Sequence, residues 1–310
     1  MASAKMSDVL WNMSASALKN SVLKSSADFL RGTGEGLLVR KEAKYESGVC
    51  IIEKKASCII SESCLNPVRI IIYMYCIFMI CSVYIMTITY PDIKPWGRSF
   101  EDYVRMFSLT PADLKRKILG CGDGPASFNA ELTECGGNIV SIDPVYSFSA
   151  DQIQERIGET CDYVLDQTRK NQDKFVWQEI GSIAELERRR MSAMAKFLED
   201  FPKGVVQKRY LAGELPSLPF GDGEFDLALC SHLLFLYTDN LSLDFHLRSM
   251  AELCRVAKEV RIFPLLDVNG NRSPYIDLLT DFLRVEKRDV MKVKVAYEFQ
   301  KGGNTMLKIC

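Results

Sequence analysis

The chain has 310 residues, of which 47% are hydrophobic and 25% charged, which suits one large globular domain or a domain with an appendage. Its 39 basic and 40 acidic side chains give a net charge of -1, so no global field favours nucleic acid as a partner. The 11 cysteines include no CxxC pair and only two histidines occur, so neither a metal site nor a disulfide framework is expected. A reducing, cytoplasmic compartment fits this cysteine usage.

The first two predicted segments precede any recognisable motif. Residues 1–67 are expected to be partly helical or flexible, and they lack the continuous apolar core of a secretory signal. Residues 68–90 contain an uncharged run from Ile70 to Ile88 that is long enough to cross a bilayer as a helix. Three interpretations of this run stay open: a transmembrane helix, a buried element, and an artefact of the gene model.

From residue 91 to residue 310 the sequence has the alternating pattern of an α/β domain. Strands are expected at 115–119, 138–143, 208–211, 225–230 and 259–265, and helices at 125–135, 149–164, 241–256 and 274–283. The charged, helix-forming stretch at about 165–204 resembles an insertion. Two β-rich runs at 290–299 and 305–309, joined by a Gly-Gly-Asn turn, predict an antiparallel hairpin at the end of the domain.

Three glycines mark the junction between the first predicted strand and the following helix. Gly120, Gly122 and Gly124 leave bare backbone where a ligand can approach a helix N-terminus. Pro125 stands where a dinucleotide fingerprint would have its last glycine, which disfavours a dinucleotide. Asp143, at the tip of the next strand, is placed to accept hydrogen bonds from both hydroxyls of a ribose.

From about residue 96 onwards the chain resembles class I S-adenosylmethionine-dependent methyltransferases, in an uncharacterised bacterial-type branch. The pieces that carry the resemblance are Leu119–Gly124, Ile142–Asp143, Gly213–Phe220, Asp222–Leu227 and Glu252–Val256. It implies a Rossmann-like methyltransferase fold with a seven-stranded, mostly parallel sheet and a C-terminal antiparallel hairpin. It also implies S-adenosyl-L-methionine as cofactor and methyl transfer to an acceptor, which we expect to be a small molecule.

The resemblance further implies which residues contact the cofactor. They are Gly120, Cys121, Gly122, Gly124, Asp143, Glu214, Leu215 and Ser231. Asp143 would hold the ribose hydroxyls, Glu214 would face the adenine amino group, and Leu215 would supply an apolar wall. Many relatives carry an acid where this chain has Ile118, so a contact to the amino group of the cofactor is expected to be missing or supplied elsewhere.

Other residues near the strand ends are candidates for catalysis or for substrate contact. His232 is the candidate general base, because an imidazole titrates near neutral pH, although a histidine in an apolar run is commonly structural. Tyr146, Trp177 and Tyr237 are candidate walls of a substrate pocket, with a role in the core as the alternative. Cys121 is interpreted as a small apolar filler, since no base lies beside it in the sequence.

Three functions are consistent with these residues. The first is an active methyltransferase. The second is a catalytically silent domain that binds the same cofactor and acts as a regulator or scaffold. The third is another nucleotide-dependent enzyme, such as an NAD-dependent oxidoreductase. If the run at 70–88 does anchor the protein in a membrane, the cytosolic supply of the cofactor predicts a methyltransferase domain on the cytosolic side.

Overall fold

The computed structural model describes residue 88 and residues 93–310. The predicted N-terminal region and the apolar run, apart from its last residue, lie outside the described residues. That last residue, Ile88, is 3% exposed, and its backbone N–H and C=O bond the side-chain amide of Asn269 at 2.8 and 3.1 Å. Among the described residues, no helix is both long enough and apolar enough to cross a membrane.

Seven strands form one sheet in the described part of the chain. They are β1 (Lys117–Cys121), β2 (Asn138–Ile142), β3 (Tyr210–Leu211), β4 (Phe225–Ser231), β5 (Ala257–Phe263), β6 (Val290–Lys294) and β7 (Thr305–Ile309). Their spatial order is β3-β2-β1-β4-β5-β7-β6. The first five strands pair in parallel, whereas β7 runs antiparallel to both β5 and β6. This topology confirms the predicted sheet with its closing antiparallel hairpin.

The central strands are apolar because both faces of the sheet are covered. Along β4, Leu227 and Leu229 belong to one apolar cluster, while Ala228 and Cys230 belong to another on the opposite face. All four are fully buried. The period-two alternation of a strand therefore distributes a continuous apolar run between two cores.

Six α-helices accompany the sheet within residues 93–310. They are α1 (Phe100–Met106), α2 (Phe128–Glu134), α3 (Ala150–Lys170), α4 (Ile183–Val206), α5 (Leu243–Val256) and α6 (Ile276–Val285). Both α1 and α3 begin with a capping box, in which Ser99 and Ser149 accept hydrogen bonds from the backbone of the first turn. The resulting start of α1 fixes the position of Tyr103, which reaches the functional site.

The connection between β2 and β3 contains both α3 and α4. The predicted end of the first of these helices at residue 164 is wrong, because the helix continues to Lys170. Leu165 and Thr168 extend the same buried face as Ile157 and Cys161, so the apolar face does not end at residue 164. The stretch predicted as an insertion thus begins inside α3 and contains most of α4.

The C-terminal hairpin has a longer connection than the sequence suggested. Strand β6 ends at Lys294, not at residue 299, and Lys294 pairs with Thr305. Residues 295–304 leave the sheet, and the carbonyl of Phe299 accepts a hydrogen bond from the backbone N–H of Val176 at 2.7 Å. The ring of Phe299 stacks on Phe175 with centroids 4.8 Å apart. The apolar character of 295–299 therefore serves this contact rather than a strand.

Candidate cofactor site

The turn after β1 needs its glycines for two different reasons. Gly122 and Gly124 have φ angles of +69° and +53°, in the left-handed region that favours glycine. Gly120 lies within the strand, where a Cβ atom would stand 1.8 Å from Oδ2 of Asp123. The side chain of Asp123 therefore folds back over Gly120 and occupies the space that any other residue at position 120 would fill.

Asp123 is an acidic site residue that the sequence reasoning missed. It is 8% exposed, and its carboxylate accepts hydrogen bonds from the hydroxyls of Tyr103 and Ser141, both at 2.7 Å. Burial raises the pKa of Asp123 to about 6, against the lowering effect of these two donors. The sequence shows an acid inside the glycine turn. It does not show that Tyr103 contacts this acid, because Tyr103 has no fixed spacing from the motif. Many relatives carry an acid at the position of Ile118, and in this chain Asp123 supplies a carboxylate to the site instead.

Asp143 connects the tip of β2 to the glycine turn. One of its carboxylate oxygens accepts from the backbone N–H of Gly124 and the other from that of Val145, each at 2.9 Å. Burial raises the pKa of Asp143 to about 6, although both backbone donors favour the charged form and nearby Glu214 opposes it. Each carboxylate oxygen can accept a second hydrogen bond, so two ligand hydroxyls can still be bound.

The carboxyl end of β4 presents Ser231 and His232. His232 has a φ angle of 52°, and its backbone N–H donates to the carbonyl of Phe263 at 2.7 Å, which ties it to the end of β5. Its Nδ1 lies 2.9 Å from Oγ of Ser231. Burial holds the pKa of His232 well below its usual value, and the positive charges of Arg98 and Arg190 lower it further. The imidazole is therefore neutral at physiological pH, and the titration near neutral pH on which the sequence-based choice of a general base rested does not hold for His232.

A cavity of about 720 Å³ lies over these strand ends. His232 and Tyr237 line this cavity. So do most of the residues predicted to contact the cofactor, namely Cys121, Gly122, Gly124, Asp143, Glu214, Leu215 and Ser231. Gly120 does not line the cavity, because Asp123 lies above it. The cavity also has Trp96 and Arg98 in its wall, which sequence reasoning did not identify. Both precede α1 and belong to no motif.

Two of the three aromatic residues predicted to contact substrate lie outside this cavity. Tyr146 packs among Phe197 and Tyr210, and its hydroxyl donates to the carbonyl of Gly124 at 2.7 Å, so it supports the glycine turn from behind. Trp177 packs edge-on against Phe299, with centroids 5.5 Å apart. These two rings therefore do not line the same pocket as Tyr237, contrary to the prediction.

The chain was compared with known proteins by sequence and by fold. No family model matches it. Among solved structures, a SAM-dependent methyltransferase from Aquifex aeolicus is 14% identical, covering 67% of this chain and 90% of that one with a TM-score of 0.33. The magnesium protoporphyrin IX methyltransferase of Synechocystis, solved with bound SAM, is 8% identical, covering 64% of this chain and 71% of that one with a TM-score of 0.35.

A sequence relative establishes the family. An uncharacterised protein of Methanocaldococcus jannaschii is 36% identical over 216 residues, which are 69% of this chain and 94% of the relative. The strand order and the antiparallel β7, rather than the solved structures, carry the assignment of the fold. The chain belongs to the same family as this archaeal protein, and its sheet has the Rossmann-like methyltransferase fold.

Proposed function

We propose that the protein is an S-adenosylmethionine-dependent methyltransferase that acts on a small molecule. The observation that carries the proposal is the joining of the glycine turn to Asp143 at the carboxyl ends of β1 and β2. In open α/β sheets this edge is where nucleotide-like ligands bind. The same cavity contains an apolar side chain, Leu215, beside an acid, Glu214, as the adenine of the cofactor would require.

The residues present fit the charges of this cofactor. Asp143 retains acceptor capacity for the ribose hydroxyls, and Asp123 offers a buried carboxylate to a positively charged amino group. When bound, the cofactor supplies a methyl group that is already electrophilic, so the protein has to orient the acceptor, exclude water and remove a proton. Ser231 and His232, at the carboxyl end of β4, are the residues of this chain that are placed for those tasks.

His232 is the proposed base, and its contact with Ser231 defines how it would act. Nδ1 of His232 lies 2.9 Å from Oγ of Ser231. A neutral imidazole carries one N–H, and the tautomer with its proton on Nδ1 donates it to this hydroxyl oxygen. Nε2 is then left with a lone pair that can accept a proton from the acceptor.

Calorimetric titration of the full-length protein tests the proposal. S-adenosylmethionine and S-adenosylhomocysteine should bind, and NAD should not. Asp143→Asn should weaken binding of S-adenosylhomocysteine at least about tenfold, because a charge-assisted acceptor of two hydroxyls is lost. Asp281→Asn, an exposed acid on α6, is the matched control and should leave the dissociation constant unchanged.

The outcomes of this titration separate the three functions. Failure of both sulfur ligands to bind would refute the methyltransferase and the catalytically silent alternative together. Binding of NAD in their place would favour an oxidoreductase. An unchanged dissociation constant in Asp143→Asn would remove that residue from the site. If the cofactor binds, transfer of a labelled methyl group to an extract of small molecules separates an active enzyme from a silent binding domain.

A further inference from the structure

A second, smaller cavity of about 90 Å³ adjoins the first. The two cavities share Trp96, Arg98, Val164, His232 and Leu236 as walls. His232 thus borders both spaces, which places the smaller cavity beside the methyl-transfer end of the proposed cofactor site. A molecule in the smaller cavity would contact the imidazole without entering the space over the glycine turn.

The walls of this second cavity are mainly apolar, and four of its rings pack in two pairs. Phe175 and Phe299 stack with centroids 4.8 Å apart, and Phe263 and Tyr297 meet edge to face at 5.7 Å. Rings packed against each other in this way keep a fixed shape and present an apolar surface. At about 90 Å³ the cavity is smaller than the cavity of about 150 Å³ that accepts benzene, so it suits a short branched chain or one edge of a ring whose remainder extends into the adjoining cavity.

Arg98 is the only charged side chain among the described residues that line the second cavity, because His232 is neutral and no Asp or Glu contributes. One terminal nitrogen of its guanidinium donates to the carbonyl of Trp96 at 2.5 Å. Its Nε is out of contact with solvent and has no hydrogen-bond acceptor among the described residues. The site therefore presents a buried donor without an acceptor.

Among the described residues, the charge of Arg98 is also incompletely balanced. The nearby acid is Asp102, but Asp102 already forms an ion pair with Arg190. One carboxylate thus faces two guanidinium groups, and Arg190 is only 2% exposed. Burial lowers the pKa of Arg98, and repulsion from Arg190 adds to this. Arg98 is half-buried, and a cation that is partly removed from water without its own partner is costly, so an anion placed beside it reduces that cost.

We propose that the second cavity binds the methyl acceptor, and that the acceptor is a small organic acid whose carboxylate pairs with Arg98 and whose apolar body lies among the apolar walls. This inference rests on the proposed function, because it assigns the neighbouring cavity to the cofactor. A guanidinium recognises a carboxylate by paired hydrogen bonds, and Arg98 lines this cavity with hydrogen-bonding capacity that the described residues do not fill. The polar contact and the ring-lined volume together define the class of acceptor.

The test measures binding of benzoate, phenylacetate and isovalerate, each against its neutral amide, to full-length protein saturated with S-adenosylhomocysteine. Ligand-observed NMR reports the binding. At least one carboxylate should bind about tenfold or more tightly than its amide, as a charge-assisted pair requires. Arg98→Met should abolish this preference, and Arg98→Lys should restore part of it. Arg188→Met, which removes an exposed arginine of α4, is the control and should retain the preference.

Titration of the same variants with S-adenosylhomocysteine distinguishes the possible failures. The affinity of Arg98→Met for this ligand should stay within about threefold of wild type, because the proposal assigns Arg98 to the acceptor. A large loss of that affinity would instead assign Arg98 to the cofactor and overturn the inference. Absence of any preference for carboxylates over amides in wild type would also overturn it, with the proposed function intact. If wild type fails to bind S-adenosylhomocysteine, the proposed function itself is refuted.

Discussion

Replacing Gly120 by alanine tests the reason given for the first glycine of the motif. The added Cβ would lie 1.8 Å from Oδ2 of Asp123, whereas an ordinary contact begins at 3.4 Å. The carboxylate would therefore have to move by about 1.6 Å (3.4 minus 1.8), far enough to lose at least one of its 2.7 Å hydrogen bonds to Tyr103 and Ser141. The substitution should be destabilising through crowding and through an unsatisfied buried group.

The expected loss in free energy of unfolding follows from these two effects. Overpacking of a core costs about 1–3 kcal/mol, and a buried polar group without its partner costs about 1–3 kcal/mol more. Gly120→Ala should therefore lower the free energy of unfolding by about 2–6 kcal/mol. Gly158→Ala is the control: a Cβ at that position of α3 has no neighbour within 4 Å. It should be neutral or stabilising by up to about 1 kcal/mol, as for other glycines within helices.

Urea unfolding followed by circular dichroism, in two backgrounds, supplies the decisive comparison. In Asp123→Ala the carboxylate that causes the clash is absent, so a further Gly120→Ala should cost less than about 1 kcal/mol. The two substitutions are thus expected to be strongly non-additive. An equal cost of Gly120→Ala in both backgrounds, within about 0.5 kcal/mol, would refute the account of this glycine.

Three further predictions concern the same region. Because burial raises the pKa of Asp143 and of Asp123 to about 6, affinity for S-adenosylhomocysteine should fall as the pH drops through 6 and these carboxylates take up protons. Titration at several pH values should show this, with a shallower fall in Asp143→Asn, where only Asp123 still titrates. Tyr146→Phe should lower the free energy of unfolding by about 1 kcal/mol, since the carbonyl of Gly124 loses its donor, and no change in urea unfolding would contradict that role. Burial raises the pKa of Cys121 well above its usual value, so alkylation of the native protein should modify exposed Cys135 and leave Cys121 protected, as peptide mapping would show. Early labelling of Cys121 would contradict its interpretation as a buried, small apolar side chain.

The arrangement of the sheet was predictable because its signals are local. Continuous apolar runs such as 227–230 mark strands buried on both faces, and turn residues separate them from amphipathic helices. Element ends were less predictable. The run at 290–299 has one strand-like composition throughout, but its second half leaves β6 to reach Phe175, a contact distant in the sequence. A tertiary contact of that kind gives no local pattern.

The candidate site shows the same division between local and distant signals. Asp143 and the glycines have a fixed spacing within one β-α-β unit, so the sequence identified them together. Arg98 and Tyr103 come from a segment before β1 whose distance from the motif obeys no rule. Tyr146 was assigned to the pocket because it follows β2 closely, yet a bulky ring beside a tight turn also suits packing behind that turn. Chain proximity to a strand end does not determine which side of the turn a side chain occupies.

Residues 295–304 leave the sheet, so the walls of the smaller cavity and the strand pairing that positions the glycine turn depend on different parts of the chain. Phe175 and Phe299 line the smaller cavity from segments that contribute no strand, whereas the glycine turn and Asp143 depend on the register of β1 with β2. Substitutions at the two phenylalanines can alter the size and shape of that cavity while strand pairing persists. Under the proposal that this cavity holds the methyl acceptor, relatives with the same sheet would differ in acceptor through changes in these two connecting segments alone.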